Sequence, residues 1–351
     1  MDARYQALCQ WVAQQLNQDK VELSVVSGDA SFRRYFRFTL NEQSWVVMDA
    51  PPDKEDSTHF VRIAKSWYSQ GIQVPKIIAL NLEDGFMLLS DFGETLLLSA
   101  LNPQEIDLQQ GKHYYTKAMQ VLVQIQTVNS HQLDLPLYNS GLLQQEMALF
   151  KDWLIEAKLG LDLSDEESLG LNACLSLLEE RALAQHQVTV HRDFHARNLM
   201  ICDDDCLGVI DFQDAVHGPI TYDLVSLLRD CYIVWPTELV TQWCVEFYDL
   251  LIEKNPDALS YLGDFEHFKE DFDLMGLQRH LKVAGIFARL SLRDGKHGYL
   301  ADIPRTLDYI LAVSKQLISG SPSKFNVLTH LVNLIESRVL PLTKHAMFLQ
   351  E

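Results

Sequence analysis

Two short stretches carry side chains whose types and spacing suit one reaction. "HRDFHARN" at 191–198 sets Asp193 and Asn198 five residues apart in a tight loop, and "GVIDFQDA" at 208–215 delivers Asp211 thirteen residues after Asn198, at the end of an apolar run. Phosphoryl transfer needs three such groups: a carboxylate that orients the attacking hydroxyl, and an amide and a second carboxylate that hold magnesium against the phosphates. The chain supplies them in that order, with Asp193 as the base and Asn198 and Asp211 as the Mg2+ ligands.

These groups need a scaffold, and hydrophobic periodicity describes one. An amphipathic helix in "MDARYQALCQWVAQQLNQDK" precedes short β-like runs, "VELSVVSG", "RRYFRFTL" and "SWVVMDA", then a helical stretch, "DSTHFVRIAKSWYSQG", then "KIIALNL" and "FMLLS". From about Asn102 onward the pattern is helical, interrupted by "VTVHRDFHARNLMICDDDCLGVIDF", a loop flanked by short strands. The expected class is α+β, with a small β-rich N-lobe at 1–92 and a larger helical C-lobe at 93–351. A length of 351 residues with 47% hydrophobic content is ample for burying a core. No basic leader and no bilayer-length apolar run is visible, so a cytoplasmic protein with no membrane partner is expected. Lys+Arg 29 against Asp+Glu 48, a net charge of −19, argues against nucleic acid as a partner. Six scattered cysteines suit a reducing compartment, and Asp203-Asp204-Asp205 between Cys202 and Cys206 reads as a hairpin turn rather than part of a zinc site.

The order of loop, amide and strand-borne carboxylate resembles the protein-kinase-like superfamily, and within it the aminoglycoside and choline phosphotransferases. There an H-x-D-x-x-x-x-N loop is followed by a strand ending in Ile-Asp-[Phe/Trp], as His191 to Asn198 and Ile210-Asp211-Phe212 are here. The resemblance implies a protein-kinase-like two-lobed fold, ATP and Mg2+ as cofactors, a nucleotide-covering N-lobe, and a C-lobe carrying the catalytic loop, metal site and acceptor site. The tripeptide Asp91-Phe92-Gly93 imitates a kinase metal motif but precedes the catalytic loop, whereas the metal carboxylate follows it. Its place at the end of an apolar strand is that of the hinge, where Ser90, Asp91 and Phe92 would meet an adenine edge and Gly93 would let the chain turn.

The phosphate-covering loop is expected at "SGDASFRRYFRF", where Gly28, Ala30 and Ser31 are small enough for close backbone approach. The third strand departs from the superfamily, offering Met48 and Asp49 where a lysine is expected. Arg33, Arg34 and Arg37 are the candidates to take over part of its charge, alongside Mg2+. Five segments, "GDASFRRYFR", "VVMDAPPDKED", "VHRDFHARNLM", "DFQDAVHGPITYDLVSLLRD" and "QRHLKVAGIFARLSLRDGKHGYLADIPR", together resemble the bacterial anomeric kinases of N-acetylmuramate and N-acetylglucosamine. That family also lacks the strand lysine, and it implies a role in cell-wall recycling.

The acceptor side offers a physical check. On one helix from Leu277 to Leu292, Arg279, Lys282, Arg289 and Arg293 fall within an arc of roughly 80°. A cationic stripe suits a neutral or anionic acceptor better than a polycationic aminoglycoside, although each cation has a structural alternative in pairing with Asp214, Asp223, Asp230 or Asp294. His195 and Asp214 are further candidates for the sugar. Asp223 and Asp230 are expected in structural roles, the second as a partner of Arg229. Three functions stay open: a sugar 1-kinase, a kinase of another small alcohol such as an aminoglycoside or choline, and a degenerate kinase fold used for binding. A monomer acting on a small amino sugar is expected.

Overall fold

The computed structural model describes residues 3–28, 32–101, 107–129, 133–203 and 205–343. The chain forms two compact units, Met1–Asp134 with Arg197–Ala215, and Leu135–Ala196 with Val216–Glu351.

The first unit is built on a five-stranded antiparallel sheet: β1 Ser24–Gly28, β2 Arg34–Leu40, β3 Gln43–Asp49, β4 Ile77–Asn81 and β5 Phe86–Ser90, in the order β1-β2-β3-β5-β4. Strand periodicity decides what is buried. Phe36 and Phe38 of β2, Trp45 and Val47 of β3, and Phe86 and Leu88 of β5 share a face that packs on Leu8, Val12 and Ala13 of the first helix, Ala3–Gln15. Met48, Met87 and Leu89, on alternate positions, are also buried, so β5 is apolar throughout. Each such side chain contributes about 1.5–3 kcal/mol on leaving water. Asn41 and Glu42, both at positive φ, close the two-residue turn between β2 and β3. Gly85 is required where it stands: it has φ +73°, and a Cβ there would lie 1.9 Å from the Ala50 carbonyl oxygen.

The hairpin Leu199–Ile201/Leu207–Val209 belongs to this unit rather than to the helical part that surrounds it in sequence. Hydrogen bonds explain why: Ile201 N–H donates to Thr95 O at 2.9 Å and Val209 N–H to Gln73 O at 2.7 Å. Its tip is the expected turn, with Cys202 N–H donating to Cys206 O at 3.0 Å and Asp205 at φ +53°. Asp204 lies outside the described residues.

The second unit is helical and centres on a 30-residue helix, Phe265–Asp294. Its N-terminus is capped by Asp264, whose carboxylate accepts from His267 N–H, and its C-terminus by Gly295 in the left-handed region. Gly285 lets it cross the helix Ser140–Leu149 at close range, since a Cβ there would sit 2.3 Å from the Leu149 carbonyl carbon. A two-stranded ladder pairs Gln187–Val190 with Val216–Pro219. Pro219 is tolerated as the last residue of an edge strand. Among the described residues no helix is long and apolar enough to cross a membrane.

Candidate active site

In the first unit the hairpin sets Asn198 just before its first strand and Asp211 just after its second. Both are half-buried, and Asn198 Nδ2 donates to Asp211 Oδ2 at 3.3 Å. Ile210 N–H closes the pair by donating to the Asn198 carbonyl at 3.1 Å. Gln213 Nε2 donates to the other Asp211 oxygen at 2.8 Å. Asp211 has φ +65°, a backbone state that costs a non-glycine residue of order 1–3 kcal/mol and that tends to persist where function requires it. What holds it there is its neighbour. Phe212 is fully buried, stacked on Phe60 at 4.8 Å and tilted against Trp67 at 5.6 Å, both on the helix Thr58–Ser69. An amide oxygen and a carboxylate so placed are hard donors suited to magnesium, which takes one or two carboxylates and completes its shell with phosphate and water.

The same unit holds every candidate for the nucleotide. The β5 ladder ends at Ser90, whose N–H donates to Lys76 O at 2.9 Å and whose hydroxyl accepts from Lys76 N–H at 2.8 Å. Asp91 and Phe92 follow beyond sheet pairing. The Asp91 carboxylate accepts from Gly93 N–H at 2.9 Å and from Arg37 Nη2 at 3.1 Å, with Gly93 at φ +87°. Burial pushes that carboxyl up, but Arg37 and the hydrogen bonds of Gly93 and Ser44 outweigh it and hold it below its ordinary value. Phe92 lies against the hairpin, 2.5 Å from where a Cβ of Gly208 would stand. Of the three arginines, Arg33 is buried with Nη2 2.9 Å from Glu55 Oε2. Arg34 Nε donates to Asp49 Oδ2 at 2.9 Å, and Arg37 also donates to Gly93 O at 2.7 Å. Asp49, standing where a lysine is expected, is a fully buried acceptor for Arg34 and for Arg4, whose Nε lies 2.7 Å from Oδ1. Ala30 and Ser31 lie outside the described residues.

In the second unit the stretch from His191 to Ala196 is braced by two carboxylates. Asp223 is fully buried and accepts from His191 N–H at 2.6 Å and Arg192 N–H at 3.0 Å. Burial pushes its carboxyl up to about 6, against the pull of His191 and those two N–H groups. Asp230, also fully buried, accepts from Ala196 N–H at 3.1 Å and Tyr232 N–H at 2.9 Å. The expected Arg229–Asp230 pair is not formed. Arg229 reaches Asp273 at 2.5 Å instead, which leaves Asp230 to the loop. Inside this brace stands Asp193, half-buried. Burial raises its pKa, but Lys282, His195, Arg279 and His191 together outweigh that and hold it down at about 2. Burial, with the neighbouring Arg279 and His191, lowers the His195 pKa, against the pull of Asp230 and Asp193.

The cationic stripe divides. Arg279 and Lys282 are buried beside Asp193. Arg289 is half-buried, and Arg293 is exposed at the helix end, where its Nε donates to Asp294 at 2.7 Å. Leu277, Leu281, Ala284 and Ala288 are fully buried as the periodicity predicts, whereas Leu292 is 42% exposed because the helix has by then left the core. Asp214 belongs to the first unit and is exposed. Sequence reasoning missed Glu146. This residue, 5% exposed on the helix Ser140–Leu149, accepts from Tyr138 OH and Arg192 Nη2 and lies 3.0 Å from Lys282 Nζ. Lys282 also donates to Tyr222 OH at 2.9 Å. No local motif marks Glu146, which follows the exposed Gln144 and Gln145 and precedes the buried Met147.

A two-lobe combination of antiparallel sheet and helical body, with this loop and this hairpin, defines a small-molecule phosphotransferase of the protein-kinase-like fold. The chain belongs to the phosphotransferase enzyme family, whose profile matches residues 22–253. An N-acetylmuramate/N-acetylglucosamine kinase of Pseudomonas aeruginosa is 40% identical over 319 residues, covering 88% of this chain and 91% of that protein. One of Neisseria meningitidis serogroup B is 38% identical over 302 residues, covering 86% and 88%. Among solved structures, the ADP-bound aminoglycoside phosphotransferase APH(2'')-Ib matches with a TM-score of 0.54 at 17% identity, over 88% of this chain and 98% of that one.

Proposed function

We propose that this chain is an ATP-dependent kinase that phosphorylates the anomeric hydroxyl of N-acetylmuramate and N-acetylglucosamine. The observation that carries this function is the placement of Asp193, in a loop pinned by Asp223 and Asp230 and beside the buried cations Arg279 and Lys282, which pull its carboxyl below the ordinary value. A carboxylate that is always ionised and fixed in place accepts a hydrogen bond from an attacking hydroxyl and aims its lone pair. So low a pKa makes it a weak proton acceptor, which suits orientation more than abstraction. An anomeric hydroxyl, somewhat more acidic than an ordinary alcohol, needs less help in losing its proton. Relatives named for these two sugars, matching over most of their length, support the acceptor. The buried cations Arg279 and Lys282 beside Asp193 disfavour a polycationic aminoglycoside.

Asn198 and Asp211 serve as the Mg2+ ligands, and the ion when bound neutralises charge on the phosphate oxygens. Residues 1–92 cover the nucleotide, with Ser90, Asp91 and Phe92 at the adenine edge and Ser31, Arg33 and Arg34 on the phosphate side. Arg37 does its work through the hinge, since its guanidinium fixes the Asp91 turn. Residues 93–351 carry the catalytic loop and the acceptor site, with His195 beside the cations and Asp214 as a further candidate for the sugar. The enzyme works as a cytoplasmic monomer. The test is ATP consumption with N-acetylmuramate, N-acetylglucosamine, an aminoglycoside and choline, followed by product analysis. An acid-labile, non-reducing sugar phosphate is expected. A stable, reducing 6-phosphate, or turnover confined to aminoglycoside or choline, would overturn the assignment.

A further inference from the structure

Two cations on the long helix keep buried donors without a hydrogen-bond partner among the described residues, Arg289 at Nε alone and Arg279 at two nitrogens. Arg279 is 4% exposed, and neither its Nε nor its Nη1 has a hydrogen-bond partner among the described residues. Lys282, three residues on, differs in being engaged by Glu146 and Tyr222. Cys231, Tyr222, Asp193 and Asp230 lie near enough to attract Arg279, and Cys231 hydrogen-bonds it, yet none of them meets Nε or Nη1; Asp230 accepts instead from Ala196 and Tyr232 N–H. A second group in the same cluster is similar: His195 Nδ1 is buried with no hydrogen-bond partner among the described residues. Unmet buried donors on a charged group are costly, and a fold retains them where a ligand completes them. The ligand must bring acceptor atoms and preferably negative charge, on the side where Asp193 meets the incoming hydroxyl.

We propose that Arg279 is the specificity-determining residue of the acceptor site, donating from Nε and Nη1 to a carboxylate borne on the sugar and to an adjoining sugar oxygen. This rests on the sugar-kinase function above and deepens it. Nε and Nη1 lie on different edges of the guanidinium plane, so two separate acceptor atoms are engaged. N-acetylmuramate offers a lactyl carboxylate that N-acetylglucosamine lacks. The cation therefore favours the first sugar, while Lys282, already paired, serves both alike.

The test compares kcat and KM for both sugars, at saturating ATP, in wild type, Arg279→Gln and Arg279→Lys. A charge-assisted bond of this kind corresponds to about a ten- to hundredfold preference. In Arg279→Gln the kcat/KM ratio of N-acetylmuramate to N-acetylglucosamine should fall by about that factor, chiefly through KM, and N-acetylmuramate should lose its upward shift of Tm. Arg279→Lys keeps a charge beside Asp193 without the planar donors, so the ratio should still fall although turnover of both sugars recovers in part. Equal losses on both sugars, as contact with the transferred phosphoryl group would produce, overturn the proposal. Should the variants fail to fold, wild type compared on N-acetylmuramate and its carboxamide gives the same answer: equal kcat/KM refutes a carboxylate contact. A wild type that phosphorylates neither sugar refutes the kinase assignment itself, and this proposal with it.

Discussion

Replacing Glu146 with Gln takes away the carboxylate on which two buried cations depend. The side chains of Arg192 and Lys282 are 21% and 9% exposed, and Glu146 Oε1 is shared between them. Removing one partner of a buried pair costs about 3–5 kcal/mol, because the remaining charge stays desolvated and unpaired. Asp193 also lies near both cations, which places the expected loss at the lower end, about 3 kcal/mol at pH 7. Burial raises the Glu146 pKa, but Lys282 and then Arg192 outweigh it and leave it lowered. A carboxyl whose folded pKa is depressed stabilises the fold fully above its unfolded pKa, about 4.3, and loses that contribution as pH falls through the folded value. The gap between wild type and Glu146→Gln should therefore be widest near neutrality and close in acid. Urea unfolding of both proteins at pH 7 and at a series of pH values below 4.5 measures it, with Glu146→Gln/Lys282→Met expected to recover part of the loss. A difference under about 1 kcal/mol at pH 7, or one independent of pH, would refute the account of this network.

Asp193→Asn should lower kcat by about 10²–10⁴-fold while leaving the affinity for ATP near wild type, as steady-state kinetics and nucleotide binding will measure. An unchanged kcat excludes Asp193 from the reaction. Asp211→Asn should abolish turnover with the fold intact by circular dichroism, and near wild-type activity at saturating ATP and magnesium would remove it from the metal site. Gly208→Ala should cost about 1–3 kcal/mol and raise KM for ATP, since the new Cβ would stand 2.5 Å from the Phe92 ring. An unchanged KM for ATP would detach Phe92 from nucleotide binding.

The class of chemistry was legible in the chain because phosphoryl transfer depends on a few side chains at short, fixed separations, and Asp193, Asn198 and Asp211 are separated that way. The strands were legible too, since β2 and β3 alternate and β5 is apolar on both faces, patterns that burial imposes locally. The chain alone also implied a buried helix carrying cations from Arg279 to Arg293. It did not determine how those cations are paired. Lys282 finds Glu146, 136 positions earlier, and Arg229 finds Asp273 rather than the adjacent Asp230. Asp223 and Asp230 turn out to hold backbone N–H groups of His191, Arg192 and Ala196 rather than a neighbouring arginine. Such choices are made where helices cross, as at Gly285 against Leu149, and a crossing brings together residues whose separation in sequence carries no period. Sequence therefore determined which groups are present and which helical face they share, whereas tertiary packing decided which charges are paired and which donors, as on Arg279, are left without a hydrogen-bond partner among the described residues.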